Sequence, residues 1–297
     1  MSLINVKNLK RSFGQKSILN NVSLQVEERS VYGLVGLNGC GKTTFIRVLL
    51  GLLNKDEGSV SVGGYDPWLH QTEYYRKLGV VLENDGFFGN LSVRDNLKIF
   101  ASAKGISWNE AQKYFHKYWG GTEIFTAERK VKFLSRGQKV QCGLCRAFLG
   151  WPSICFFDEP VVSLDIKAYE HFKMISKEAV SRGAALLISS HQLETIDELC
   201  DRAGLLKNGV IEEICKSKGV ESWIIKVLND GDWEKVIERC GVGDIAISEN
   251  QLTFSVTDSK NKIPEIIKAL VFAQCSICEV RQKKQGFSDT IKNIYKS

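Results

Sequence analysis

The sequence predicts an α/β protein whose core is a mostly parallel sheet, followed by a smaller α+β domain. Three observations carry that prediction. A short apolar run, Val31 to Val35, breaks into a glycine-rich turn and reopens as an apolar-periodic segment from Lys42 to Leu53: strand, loop, helix. Buried-strand patterns return at Ile154–Phe157 and Ala185–Ser189, joined by a helical segment from about Ile166 to Arg182, and strands alternating with helices build parallel sheets. After about Lys218 the texture changes to a β-α-β-β-α-β order.

The remaining elements follow in chain order. Residues 3–7 and 22–28 alternate apolar and polar, as half-buried strands do, with a turn-rich stretch from Arg11 to Lys16 between them. Gly58 to Val62 reads as a hairpin-like pair. From about residue 91 to 150 the period lengthens and aromatics accumulate (Phe100, Trp108, Tyr114, Phe115, Tyr118, Trp119), which predicts a helical subdomain inserted in the first domain, residues 1–218. The second domain, 219–297, is expected to hold strands at Ser222–Leu228, Asp244–Ser248, Leu252–Val256 and Ser276–Arg281. Helices are expected at Asp232–Cys240 and Ile263–Phe272, a turn at Asn250, and a closing helix at Ser288–Tyr295. That order suits a ferredoxin-like split unit.

Composition excludes several classes. Hydrophobic residues make up 43% and charged residues 25% of the 297, ordinary values for a globular chain. The formal net charge is +6, a mild bias, and no block of five like charges appears, so no nucleic-acid partner is expected. No apolar run approaches the ~20 residues that span a bilayer. The segment Met1–Lys7 shows no secretory pattern, and the protein is expected in the cytoplasm. The nine cysteines are therefore expected as free thiols; the pairs Cys142/Cys145 and Cys275/Cys278 lie too far apart for zinc-ribbon spacing.

The sharpest motif is Gly36-Leu37-Asn38-Gly39-Cys40-Gly41-Lys42-Thr43, followed by Thr44. It matches the phosphate loop G-x-x-x-x-G-K-[ST] and sits between a strand and a helix. Glycines let successive N–H groups curl around an anion, and the helix N-terminus adds partial positive charge. Lys42 is positioned for the β- and γ-phosphates of ATP and the Thr43 hydroxyl for Mg²⁺. Cys40, in the same loop, reads as a small packing residue in preference to a redox switch.

A second motif, Ile154-Cys155-Phe156-Phe157-Asp158-Glu159-Pro160, delivers two carboxylates at the end of a buried strand, where α/β sheets bind ligands. Asp158 suits Mg²⁺ or its water, and Glu159 suits polarising a water for attack on the γ-phosphate.

The third motif, Leu134-Ser135-Arg136-Gly137-Gln138, resembles the signature of ATP-binding-cassette (ABC) proteins. Over residues 3–215 the chain is similar to an ABC nucleotide-binding domain, and the resemblance implies more than the motifs alone. It implies a phosphate-loop cassette with an antiparallel β subdomain and a helical subdomain. Ser135, Arg136, Gly137 and Gln138 would face the triphosphate held by a second subunit, a homodimer or a related chain. Glu83 stands where the family usually carries Gln, Asp165 in the D-loop, His191 at the switch position, and Phe13 where an aromatic stacks on adenine. A separate transmembrane permease is implied, with this chain peripheral at the cytoplasmic face.

Two departures bear on rate. Arg136 replaces a glycine, and its guanidinium either neutralises phosphate charge or points to solvent. Glu83 adds a negative charge beside the metal position. Glu83, Phe87-Phe88 and Leu91–Leu97 look most similar to the drug, antibiotic and ion exporter branch. The alternatives are a cassette ATPase uncoupled from transport and a binding module that has lost hydrolysis.

Overall fold

The structure is a computed structural model that describes residues 1–69, 71–82, 86–119, 128–214, 221–228, 236, 240–248, 251–256, 258–283, 286–287 and 290–291. The chain divides into two compact units, Met1–Ile214 and Cys215–Ser297.

The core of the first unit is a six-stranded sheet of β3 (Ser30–Val35), β5 (Leu78–Val81), β6 (Ile154–Asp158), β7 (Ala185–Ser190), β8 (Arg202–Lys207) and β9 (Val210–Ile214), in the order β5-β6-β7-β3-β8-β9. All neighbours are parallel except the last pair. Central strands β6 and β7 are buried at every position, which is why their sequences are continuous apolar runs and do not alternate. Helices α1 (Lys42–Leu49) and α6 (Ile166–Ser181) turn Phe45, Ile46 and Phe172 into the interior.

A second, antiparallel sheet joins β1 (Ser2–Phe13), β2 (Lys16–Glu27) and β4 (Glu57–Val62) in the order β2-β1-β4. Two local expectations change here. The turn-rich stretch 11–16 is mostly strand, because β1 and β2 run on until Phe13 pairs with Lys16. Gly58–Val62 is no hairpin but one strand, whose partner lies across the sequence, with Ile4 opposite Val62 and Lys7 opposite Ser59. Gly58 is required where the strands meet: its φ is +90°, and a Cβ would strike the backbone of Lys7 and Asn8.

The stretch read as a helical subdomain holds α3 (Val93–Ala103), α4 (Trp108–Trp119), a 3₁₀ turn at Val131–Phe133 and α5 (Arg136–Phe148). Ser92 caps α3 by accepting from Asp95 N–H. The aromatics pack on one another: Tyr114 meets Trp151 edge-on, and the Trp119 indole donates to the Tyr114 hydroxyl at 3.2 Å. Short helices α2 (Gln71–Arg76) and α7 (Leu193–Leu199) complete the unit.

In the second unit, β10 (Glu221–Val227), β11 (Gly243–Ser248), β12 (Gln251–Val256) and β13 (Ile277–Lys283) form an antiparallel sheet ordered β11-β12-β10-β13. Helix α8 (Ser259–Phe272) buries Ile263, Ile266 and Leu270 against it. It starts four residues before the expected Ile263 because the Asp258 carboxylate caps the Asn261 N–H. Most of the expected helix 232–240, the Asn250 turn and most of the expected helix 288–295 lie outside the described residues. The described cysteines are free thiols, and no described helix is long and apolar enough to cross a membrane.

Candidate nucleotide site

Strand β3 ends at Val35, and the glycine-rich loop carries the chain into α1. Gly39 and Gly41 take φ of +77° and +115°, a left-handed path closed to most side chains. Lys42 is buried, and its ammonium spans the loop, donating to the Gly36 carbonyl at 2.7 Å and the Leu37 carbonyl at 3.3 Å. The loop is thus held by its own cation around an open centre.

Beside it, the ends of β6 and β7 lie in parallel register, with Asp158 opposite Ser189. Buried Asp158 accepts from the Thr43 hydroxyl at 2.6 Å and from the Ser189 hydroxyl at 2.5 Å. Glu159 leaves the strand at φ +50°, an uncommon conformation for a residue with a Cβ. Its N–H is tied to the Ser189 carbonyl and hydroxyl oxygens at 3.2 and 3.0 Å. That turn sends the Glu159 carboxylate towards Lys42 Nζ, 3.4 Å from Oε1, and His191 Nδ1, 2.9 Å from Oε2. The His191 contact needs a proton on Nδ1, which leaves Nε2 facing away from Glu159.

Helix α5 begins at a capping box. The Ser135 hydroxyl accepts from Gln138 N–H at 3.2 Å, and Gln138 Oε1 accepts from Ser135 N–H at 3.0 Å. Gly137 seats against the Ser163 carbonyl with no room for a Cβ. Asp165 caps α6, accepting from Ala168 N–H at 2.7 Å.

A cavity of about 510 Å³ gathers Asn38, Gly39, Gly41, Lys42, Thr43, Thr44, Asp158, Glu159, His191 and Arg136 on one wall system. Gly36, Cys40, Ser135, Gly137, Gln138 and Asp165 do not line it, and Glu83 lies outside the described residues. Phe13 does not line it either; the residue is 48% exposed, with the Arg11 guanidinium 4.8 Å over its ring. Sequence reading missed Ser189, Lys139 and Ile18, of which the last two line the cavity. The Ser189 signal was present: a hydroxyl ending one buried strand beside an acid ending its neighbour.

The residues fit a metal-bound nucleotide. The loop is open at Gly39, where a Cβ would meet nothing within 4 Å, and the Thr43 hydroxyl and Asp158 carboxylate converge as an all-oxygen donor pair suited to Mg²⁺.

Comparison with known proteins identifies the family. The family model described as ABC transporter matches residues 19–162. The lantibiotic transport ATP-binding protein SrtF of Streptococcus pyogenes is 32% identical over 70% of this chain and 89% of its own length. The chain belongs to the ABC transporter ATP-binding proteins. The bacitracin transport ATP-binding protein BcrA of Bacillus licheniformis is 33% identical over 72% of this chain and 70% of its own. The ABC transporter ATP-binding protein YdbJ of Bacillus subtilis is 29% identical over 97% of this chain and 93% of its own, so that similarity runs on through the second unit. A solved ATP-binding subunit of an ABC transporter superposes with a TM-score of 0.65 at 27% identity, over 70% of this chain and 88% of that one. This ABC subunit binds ATP, belongs to a family that hydrolyses it to drive transport, and implies a transmembrane partner.

Proposed function

We propose that two such subunits close head to tail on two Mg-ATP molecules and drive a separate permease that exports its substrate. The observation that carries the reading is the single cavity in which Lys42, Thr43 and Asp158 stand beside the Glu159–His191 pair. Mg²⁺, held by Thr43 and Asp158, would neutralise phosphate charge. Glu159 accepts the proton of the attacking water, and His191 holds the Glu159 carboxylate in place by its Nδ1–H. Lys42, already inside the loop, binds the phosphate oxygens in place of the loop carbonyls.

Ser135 and Gly137 open α5 with a capped N-terminus, the kind of terminus that receives an anion. In the family this end of the helix meets the other subunit's nucleotide, which is the role assigned here to Ser135, Arg136, Gly137 and Gln138. Phe13 stacks on adenine, Glu83 couples the site to the permease, and Asp165 borders the partner subunit. Export follows the relatives, whose names give lantibiotic and bacitracin transport. The permease would hold this subunit at the cytoplasmic face of the membrane. A second cavity of about 510 Å³ between α2, β5, α3 and α5, with Arg76, Lys104 and Arg146 on its wall, offers the docking surface.

Phosphate release from wild type and Glu159→Gln, paired with gel filtration, tests the reading. Wild type should release phosphate, and Glu159→Gln should lose at least 100-fold in rate while running as a dimer with ATP and Mg²⁺. Equal release from both proteins, or an elution position indifferent to ATP, would sink it.

A further inference from the structure

We infer that Arg11 and Asp56 form a brace that sets the Phe13 ring for the nucleotide base, which makes Arg11 a positioning residue for ATP. This rests on the adenine role proposed for Phe13 and adds to it the side chains that hold the ring.

The brace is built on one carboxylate. Asp56 Oδ1 accepts from the Arg11 guanidinium at 2.8 Å, and Oδ2 accepts from the Ser12 N–H at 2.7 Å. The Asp56 N–H donates in turn to the Lys10 carbonyl at 2.9 Å. A single residue just ahead of β4 therefore bonds each of the three residues that lead into Phe13. The next pair repeats the lock: Lys10 lies opposite Glu57 in register, and its ammonium is 2.8 Å from the Glu57 carboxylate. Held this way, the Arg11 guanidinium sits 4.8 Å from the centre of the Phe13 ring. Arg11 Nε is buried without a hydrogen-bond partner among the described residues, so the guanidinium keeps its place over the ring at the expense of one donor contact.

The same hairpin touches the glycine-rich loop. Phe13 pairs with Lys16 and Ser12 with Ser17, and the next residue, Ile18, lines the nucleotide cavity. A Cβ on Gly41 would come within 2.9 Å of Ile18 Cγ2. The end of the hairpin that carries Phe13 is thus seated against the loop that carries Lys42.

A cation over one face of the ring confines a stacked base to the opposite face. It also draws electron density from the ring, which suits the electron-rich π-system of a purine. Without the guanidinium the ring regains rotamer freedom that base binding must then remove. The ligand served by the brace is a nucleoside phosphate held at its base; a phosphate chain without a base gains nothing from it.

The test titrates full-length protein calorimetrically with a non-hydrolysable ATP analogue and with inorganic tripolyphosphate, each with Mg²⁺. Arg11→Met should weaken the ATP analogue about threefold and leave tripolyphosphate unchanged, while Arg11→Lys, which keeps a cation, stays closer to wild type. Asp56→Asn should follow Arg11→Met in direction. Added to Phe13→Ala, Arg11→Met should have no further effect, because the brace then has no ring to hold. Losses equal for both ligands, or additive with Phe13→Ala, would mean that Arg11 only supports the fold and would overturn the inference. Phe13→Ala separates the two levels. Wild-type affinity for the ATP analogue in that variant would remove adenine from Phe13 and the brace with it. Weakened affinity there, with Arg11→Met like wild type, would leave Phe13 in its role and remove the brace alone.

Discussion

The Ser189 hydroxyl donates to Asp158 Oδ1 at 2.5 Å, and its oxygen accepts from the Glu159 N–H at 3.0 Å. One side chain therefore anchors both acids at the end of β6. Asp158 Oδ2 is taken by Thr43, so both carboxylate oxygens have a set direction before any ligand enters. Glu159 is held at a positive φ that carries its carboxylate to Lys42 and His191. Strain of this kind, about 1–3 kcal/mol, persists only where neighbours over-determine it.

Ser189→Ala should therefore lower phosphate release about tenfold and raise the Mg²⁺ concentration needed for half-maximal rate by about 10–100-fold, as loss of a group orienting a metal ligand does. The KM for ATP at saturating Mg²⁺ should move little, because Ser189 does not line the cavity. A metal titration that overlays wild type would remove the anchoring role.

Thr43→Ala removes both the hydroxyl proposed for the metal and the 2.6 Å bond that directs Asp158. Its metal requirement should rise at least as far as that of Ser189→Ala. Thr43→Ser, which keeps the oxygen, should restore most of the rate. Equal rates in the alanine and serine variants would mean that the hydroxyl has no part in metal binding.

The cassette was legible in the sequence because its chemistry is local. Gly36 to Thr43 is one contiguous loop, and Ile154 to Glu159 is a strand whose burial on both faces leaves an unbroken apolar run. What escaped was set by pairing between distant segments. Nothing near Glu57 announces that its strand will lie along β1, since the register from Ile4–Val62 to Lys10–Glu57 is fixed by the fold. Lys139 and Ile18 reach the cavity only because α5 and the β1–β2 hairpin converge there, and neither carries a motif. Ser189 was in view within Ser189-Ser190-His191, but its role depends on the parallel ladder that sets it opposite Asp158.

Phe13 gives a prediction about the base. Phe13 is about half exposed at the end of β1, with the Arg11 guanidinium over one face of its ring. Stacking of a base on such a ring contributes about 1 kcal/mol. Phe13→Ala should raise the KM for ATP about fivefold with kcat nearly unchanged, and Phe13→Tyr should match wild type. An alanine variant with wild-type KM would place adenine elsewhere.

Lys104 predicts a stability effect at alkaline pH. Its ammonium caps the end of α5, donating to the Ala147 carbonyl at 3.3 Å and the Leu149 carbonyl at 2.8 Å. Burial, reinforced by the nearby Arg146 charge and partly offset by Cys155, lowers its pKa from 10.5 to about 8. Below about pH 8 the lysine is charged in the folded and unfolded chains alike, and folding bears the whole cost of burying that charge. Between about pH 8 and 10.5 the unfolded chain holds more protons than the folded one, so stability rises with pH; above 10.5 the cost is gone. Relative to Lys104→Met, which has no such proton, wild type should gain on the order of 2 kcal/mol in urea unfolding between about pH 7 and pH 10, allowing for solvent screening. The comparison cancels the tyrosines and other thiols that titrate in the same range. Parallel curves for the two proteins would show that Lys104 keeps an ordinary pKa, and that the end of α5 is open to water.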